Sequence, residues 1–488
     1  MMRLCKTNSF FACLLLFLVC SASCKEAEPS PEKPDGDTNN DYSQYPLKTA
    51  IHYKDGTNAV GDVIPFYHQG EYHVFYLQGD EWAHIVSADL VNWRVLPFAL
   101  RKGQGVEAAD GQGIWTGSVV HHEEKFYIFY TGKNTNDPKG EQKVMVAESE
   151  DLIHWTKLSE RTFYADGEIY WNKTINGPID AQQSYHHQSF RDPHVFYNQQ
   201  DNNWWMVLHA VLADGSKPVM GVYTSPDLKT WNPRQPWVIY PSALSGDCPD
   251  VFFDHNQWYI LSANYVYMRL DGLNTQIDPT AIPYDSGDLC VPKTMYDGKR
   301  RIAIGWITDY EGHTDAGAGG WGGIMSMPRE LYLDATGRLM QRPIQEVVDF
   351  FPGKVDQFSG SMTADEYKAG LPEDFMLTAE IHPHDNPDFA ELRICASGKD
   401  DLENYFLRLD FKTRNISYGS KYRSYSRSFP FVPGEPVKIQ WFTEGSVTEC
   451  FVNDAYCFTM RAYDKIGDGI VFKSNETTTL NSLTVFSQ

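Results

Sequence analysis

Ser189-Phe190-Arg191-Asp192-Pro193-His194-Val195-Phe196-Tyr197 is the stretch on which the reading of this chain turns. An Arg-Asp pair runs through a proline into an apolar, β-branched and aromatic run. Proline has a fixed φ and no N–H to give a ladder, which suits the first residue of a strand. Asp192 therefore stands at a strand entrance and not deep inside a sheet. The same grammar recurs where Gly61-Asp62 opens Val63-Ile64-Pro65-Phe66-Tyr67, and where Gly246-Asp247-Cys248-Pro249-Asp250 opens Val251-Phe252-Phe253. A second apolar run follows each entrance, at 72–76, 204–208 and 258–261. Asp62 precedes Phe75 by 13 residues, Asp192 precedes Met206 by 14, and Asp247 precedes Ile260 by 13. On these offsets three carboxylates share one slot in three copies of a hairpin. Equivalent slots of a radially repeated fold meet at its axis.

Two more runs fit the same frame. Gly113-Ile114-Trp115-Thr116-Gly117-Ser118-Val119-Val120 leads into 126–130, with Trp115 in the slot held elsewhere by Asp. Cys290-Val291-Pro292-Lys293-Thr294-Met295-Tyr296 leads into 301–306. Entrances at Asp62, Trp115, Asp192, Asp247 and near Asp288 make about five repeats. Between them Ser87-Ala88-Asp89-Leu90-Val91-Asn92-Trp93 recurs at 149–155 and 225–231, with starts 62 and 76 residues apart. That spacing is a four-stranded blade with its loops, longer than the common propeller repeats. Its Asp is read as a turn cap, its Leu and Trp as packing between units. No helical pattern of ten or more residues precedes about residue 343. The expected fold is all-β: a five-bladed β-propeller over 46–345, a connector at 344–351, and a C-terminal β-sandwich over 352–488. Within the latter, 375–381, 405–411 and 437–442 alternate between turn residues.

A chain of 488 residues accommodates two domains and a leader. The 13 Trp and 28 Tyr exceed what packing requires and suit carbohydrate faces. A net charge of −22 argues against nucleic acid and anionic membrane surfaces as partners and leaves a neutral oligo- or polysaccharide, although solubility alone explains the acidity equally well. Arg3 and Lys6 precede an apolar run from Phe10 to Cys20 and then Ser21-Ala22-Ser23-Cys24. Residues 1–24 are thus expected to be a lipoprotein signal peptide with Cys24 the lipidated residue, and 25–45 a flexible tether. This predicts an outer-membrane lipoprotein, at the cell surface or on the periplasmic face, touching the membrane only through its lipid. Cys5, Cys13 and Cys20 leave with the leader, and the remaining cysteines show no zinc-ligand spacing. No metal or cofactor is expected. Cys450 and Cys457 flank Asn453-Asp454 in a hairpin, where a disulfide and two free thiols both fit.

Glycoside hydrolysis needs two carboxyls flanking the scissile bond, and a third can hold sugar hydroxyls. Arg191 beside Asp192 should keep that Asp ionised, a poor acid and a good hydroxyl clamp. The proton donor needs a raised pKa, from burial beside aromatics and like charge. Asp247 and Asp250 are the candidates: one of them is the donor and the other caps the strand, with Asp250 and Arg191 also expected to contact substrate. Trp82, Trp115 and Trp321 are each either a stacking surface for a sugar ring or core, and His84 is read as a structural hydrogen-bonder.

At this point the chain resembles glycoside hydrolase family 32, the invertase, inulinase and levanase group, over roughly residues 50–485. Ser189 to Phe196 resembles the family's Phe-Arg-Asp-Pro motif and Gly246 to Phe252 its Glu-Cys-Pro-Asp motif. Trp82-Ala83-His84 with Ser87 to Trp93, Asp297 to Trp306, Met327 to Leu331 with Gln341-Arg342-Pro343, and Glu444 to Asn453 resemble further family segments. The resemblance implies a five-bladed propeller and retaining hydrolysis of a fructofuranosyl or similar furanoside, with Asp62 as nucleophile, Asp192 as transition-state stabiliser and Asp247 as acid/base. Two departures stand out. The family's Trp-Met-Asn-Asp-Pro-Asn-Gly is replaced by Asn58-Ala59-Val60-Gly61-Asp62-Val63-Ile64, which keeps only the aspartate. Asp247 stands where a Glu is expected, setting the carboxyl back by about 1.5 Å. A propeller hydrolase of arabinofuranosides and an inactive glycan-binding lipoprotein are the alternative readings.

Overall fold

The apolar runs of the sequence are strands, and almost every one pairs antiparallel with its neighbour in sequence. The computed structural model describes residues 41–178, 189–240, 246–263, 266–270, 272, 282–310, 321–384, 387–432, 434–475 and 478–488. The leader, Cys24 and most of the expected tether lie outside them. Five sheets follow one another along the chain, each laid down as a meander beginning with Gly61–His68, Gly113–His122, Phe190–Asn198, Asp250–Asp254 and Leu289–Tyr296. The first also carries Leu47–Thr49 on its outer edge. Each first strand contacts the next, and the fifth returns to the first, so the five surround a common axis. Apolar residues from successive sheets fill the wedges between them; Phe129, Val146, Met206 and Leu208 form one such layer.

The Ser-x-Asp-Leu motif turns the chain from the third strand of a sheet to the fourth. Ser87 Oγ accepts the Leu90 N–H, and Asp89 Oδ1 accepts the Asn92 N–H. Asp151 and Asp227 repeat that acceptor role. Leu90, Leu152 and Leu228 all take positive φ (63°, 63° and 58°). A side chain disfavours that backbone, so the Asp-bonded turn and the buried Leu together hold it.

After the short helix Gln345–Asp349 the chain forms two six-stranded sheets. Phe375, Leu377, Ile394, Leu407, Trp441, Phe458 and Leu483 are buried in the core they share. The sequence boundary near 345–352 separates sheets rather than bodies, because residues 43–488 are one compact unit. A single apolar cluster runs from Val60, Trp306 and Met325 to Met376, Phe442 and Phe451. Beside it the buried Arg329 guanidinium bonds both Asp285 (2.7 Å) and Glu449 (2.6 Å), and Glu449 also meets His52 (3.3 Å). Cys450 and Cys457 are free and buried. Cys450 stands opposite Phe458 and Cys457 opposite Phe451. The pleat then sends the two thiols to opposite faces, one into the core between the two sheets and one into the seam with the ring.

Candidate active site

Where the first strands begin, their pairing is broken. Register shifts fall between Gly61 and Val63, Trp115 and Gly117, Arg191 and His194, and Cys290 and Lys293. Such bulges re-aim side chains, here toward the mouth of the ring. In the third, fourth and fifth sheets the bulge has one form: Asp192, Cys248 and Val291 take positive φ (62°, 51° and 46°), each followed by proline. One place earlier, Arg191 pairs with His209 and Cys290 with Trp306, while the Asp247 carbonyl accepts the Ala263 N–H.

This alignment corrects the equivalence read from the offsets. Val195 pairs with Met206 and Val251 with Ile260, which leaves Asp192 three residues before its paired position and Asp247 four before its own. Asp247 is therefore the counterpart of Arg191, and Cys248 the counterpart of Asp192. A longer hairpin turn in the third sheet disguises the slip. The convergence survives it, because Asp62, Asp192 and Asp247 line one pocket of about 790 Å³ together with Arg191, Trp115, Cys248, Trp306 and Trp321.

The three carboxyls have different surroundings. Asp62 is buried and accepts the Trp306 indole N–H at 3.1 Å. Burial raises its pKa, while Thr116, Trp306, Lys293 and Cys248 pull the other way. Asp192 accepts the Cys248 N–H at 3.1 Å, and the Cys248 sulfur lies 3.5 Å from Asp192 and 3.6 Å from Asp62, joining the two. Burial pushes Asp192 up to about 7, with the Arg191 charge opposing and Asp247 and Asp62 adding to it. Arg191 favours the ionised form of Asp192, as the sequence suggested, but burial outweighs it. Arg191 is anchored on Ser189 and turned onto Asp247 (Nη2 to Oδ1, 2.5 Å), leaving its Nε 3.6 Å from Asp192. Asp247 is the carboxyl open to solvent, its side chain 23% exposed against 4% for Asp192.

Asp250 is not with them. Its carboxylate accepts the Thr294 hydroxyl at 2.7 Å and faces a separate cavity of about 190 Å³, also lined by His194 and Lys293, so it belongs to neither the donor nor the lining of this pocket. Trp82 is fully buried and donates to the Trp115 carbonyl at 3.0 Å, a core residue and not a stacking platform. Trp115 is on the pocket wall with the Lys133 ammonium 4.7 Å above its ring. Trp321 is 55% exposed at the pocket, packed on Trp306 with ring centres 5.6 Å apart. Its ring lies on Gly61, where a Cβ would come within 2.0 Å of it. His84 meets His73 at 3.0 Å and stacks on Phe75, far into the core. Sequence reading missed Trp306, Cys248 and Gln142. The available signal was position: the second-strand residue opposite an entrance, such as Leu77, Ala263 or Trp306, also reaches the pocket.

Residues 63–343 match the model of the glycosyl hydrolases family 32 N-terminal domain. The chain belongs to glycosyl hydrolase family 32. Among curated relatives, an insoluble β-fructofuranosidase isoenzyme of Arabidopsis thaliana is 28% identical over 358 residues, 62% of this chain and 60% of that protein. The chain thus spans less than two thirds of that relative's length. Among solved structures, sucrose-6-phosphate hydrolase from Lactobacillus gasseri superposes with a TM-score of 0.70 at 20% identity, covering 91% of this chain and 93% of that one. A variant of fructan 1-exohydrolase IIa from Cichorium intybus in complex with 1-kestose also gives 0.70, at 19% identity, over 91% of this chain and 97% of its own. At these identities the structures share the fold.

Proposed function

We propose that this family 32 chain is a retaining glycoside hydrolase of fructofuranosides such as levan, inulin or fructo-oligosaccharides. The five sheets are the blades of a propeller and the pocket at its hub is the active site. Asp62 is the nucleophile, Asp247 the acid/base and Asp192 the clamp on sugar hydroxyls. The observation that carries this reading is the convergence of three carboxyls from three sheets, in three different environments, on one pocket walled by tryptophan. The β-fructofuranosidase relative and the kestose complex support the choice of fructoside.

In the first step Asp62 attacks the anomeric carbon, and the proton on Asp247 goes to the departing oxygen. A water then enters, and as its proton passes to Asp247 its oxygen bonds the anomeric carbon and the bond from that carbon to Asp62 breaks. Asp62 must be charged to attack, and the Trp306 N–H and the nearby Lys293 favour that form. Asp192, protonated or charged near neutrality, donates to or accepts from a hydroxyl as needed. Asp247 sits where an acid/base should, beside solvent and an arginine that stabilises its carboxylate once the proton has left.

That same Arg191–Asp247 pair supports a second reading, a glycan-binding protein without turnover, since a guanidinium at 2.5 Å opposes protonation of the acid. Assay against sucrose, inulin, levan and arabinan separates the two. Release of fructose by the parent, with a loss of about 10⁴-fold or more in Asp62→Asn, is the expected result. Binding without release across the panel supports the second reading, and release only from arabinan moves the substrate to arabinofuranosides. We further propose delivery to the outer membrane through lipid on Cys24. Labelled fatty acid should enter the expressed chain and be lost in Cys24→Ala.

A further inference from the structure

Lys293 lies on Leu289–Tyr296 in the fifth sheet and is buried, 2% exposed. Its ammonium leaves its own sheet and donates to the Gly117 carbonyl of the second sheet (3.2 Å) and the Pro249 carbonyl at the fourth (3.1 Å). Three of the five sheets are thereby tied at one point within the ring. The two carbonyls are not arbitrary. Gly117 follows Thr116 and Pro249 follows Cys248, and both of those neighbours act on Asp62. The close approach at Gly117 also needs glycine, because a Cβ there would meet the Phe129 carbonyl oxygen at 1.8 Å.

A buried cation placed this way is costly unless it is bonded and has charge to answer. Two carbonyls carry no charge, so the compensation is found around it. On one side Asp250 and His194 line the smaller cavity with it. There the Arg301 guanidinium, from Arg301–Thr308, shares Asp250 and His194 with it. On the other side stand Asp62 and Cys248, both of which feel the Lys293 charge, with the neutral Thr116 of the second sheet and Trp306 of Arg301–Thr308 beside Asp62; Asp192, Asp247 and Cys290 line the same pocket. Arg191 is committed to Asp247.

We propose that Lys293 is a positioning residue for hydrolysis: its ammonium clips the segments that cradle Asp62 and supplies positive charge that favours the ionised form of this carboxyl against its burial. The proposal rests on the reading of Asp62 as nucleophile. The direction in which Lys293 moves Asp62 agrees with it.

The test compares the parent with Lys293→Met and Lys293→Arg in the full chain. Protonation of Asp62 is followed directly by infrared difference spectroscopy, its carbonyl band assigned by loss in Asp62→Asn, and turnover of the fructoside the parent hydrolyses is followed across pH. In Lys293→Met the Asp62 band should titrate at higher pH, and turnover at the acid end should fall about tenfold more than on the plateau. Lys293→Arg should restore both. If Lys293→Met does not fold, Lys293→Gln, whose amide still donates, carries the same comparison. An Asp62 titration identical in all variants overturns the proposal, even if turnover drops. A shifted titration with an unmoved acid limb of turnover leaves Lys293 acting on Asp62 and removes Asp62 from the nucleophile's role instead.

Discussion

At the third sheet the chain enters as Arg191-Asp192-Pro193, and at the fourth as Asp247-Cys248-Pro249. The backbone is the same in both, including the positive φ at the middle residue. The chemistry is displaced by one place. The first place keeps contact with solvent, and its two occupants, Arg191 and Asp247, reach each other across the pocket. The second place is buried, and its two occupants, Asp192 and Cys248, are joined by the Cys248 N–H. Place, more than residue type, decides what a carboxyl becomes here. At the first it has water and a counter-ion, as a group that must gain and lose protons needs. At the second it is desolvated and its pKa rises.

If that division of labour holds, the largest effect comes from the first place. Asp247→Asn keeps shape and removes the proton, so turnover of a natural fructoside should fall by about 10²–10⁴-fold. The loss should be much smaller with an activated leaving group such as p-nitrophenol, which departs without protonation. Asp247→Glu, the length the family motif carries, should keep substantial turnover. Equal losses for both leaving groups in Asp247→Asn would break the comparison, because the first place would then not be where the proton comes from.

How much of this was legible in the sequence follows from the same two entrances. Proline beside an apolar run marked the bulge near each strand's beginning but not its first residue: Pro193 and Pro292 are the fourth residues of Phe190–Asn198 and Leu289–Tyr296, and only Pro249 stands directly before its strand, Asp250–Asp254. The five-fold recurrence followed from the repeated pairs of apolar runs, including the one entered at Trp115 without a proline, and the turn role of Asp89, Asp151 and Asp227 from their own repeated motif. Register was not legible, because it depends on hairpin length, and the longer turn before Asn203 hid a slip of one place. The partner of Arg191 was not legible either. Adjacency in sequence suggested Asp192, but side chains on a bulge diverge, and the guanidinium found a carboxylate 56 residues away. Asp250 failed for a related reason: two residues past the positive-φ place, its side chain falls to the cavity below Lys293 and not to the mouth.

The middle-sized effect concerns Asp192 and is read from stability. An aspartate in the unfolded chain titrates near ~3.9, and in the fold Asp192 is pushed up to about 7. The folded state therefore binds the extra proton between these values, and stability falls as pH rises through that window. Asp192→Asn removes this loss. Its melting temperature should match or fall below that of the parent near pH 4 and exceed it by several degrees at pH 8, while turnover drops at both. A variant less stable than the parent at pH 8 would mean that the Arg191 charge outweighs burial at the second place after all.

The smallest effect should come from the other occupant of that place. Cys248 bonds Asp192 through its backbone N–H at 3.1 Å, which Cys248→Ala retains, whereas its sulfur stands 3.5–3.6 Å from Asp192 and Asp62 and is a weak donor. Truncation then removes one small buried group, worth about 1 kcal/mol of stability. Turnover should stay within about threefold of the parent, with the pH profile in place. A loss rivalling that of Asp247→Asn would show the thiol itself steadying the charge on the two carboxyls it touches, and the second place would then hold two working side chains instead of one carboxyl and one supporting amide.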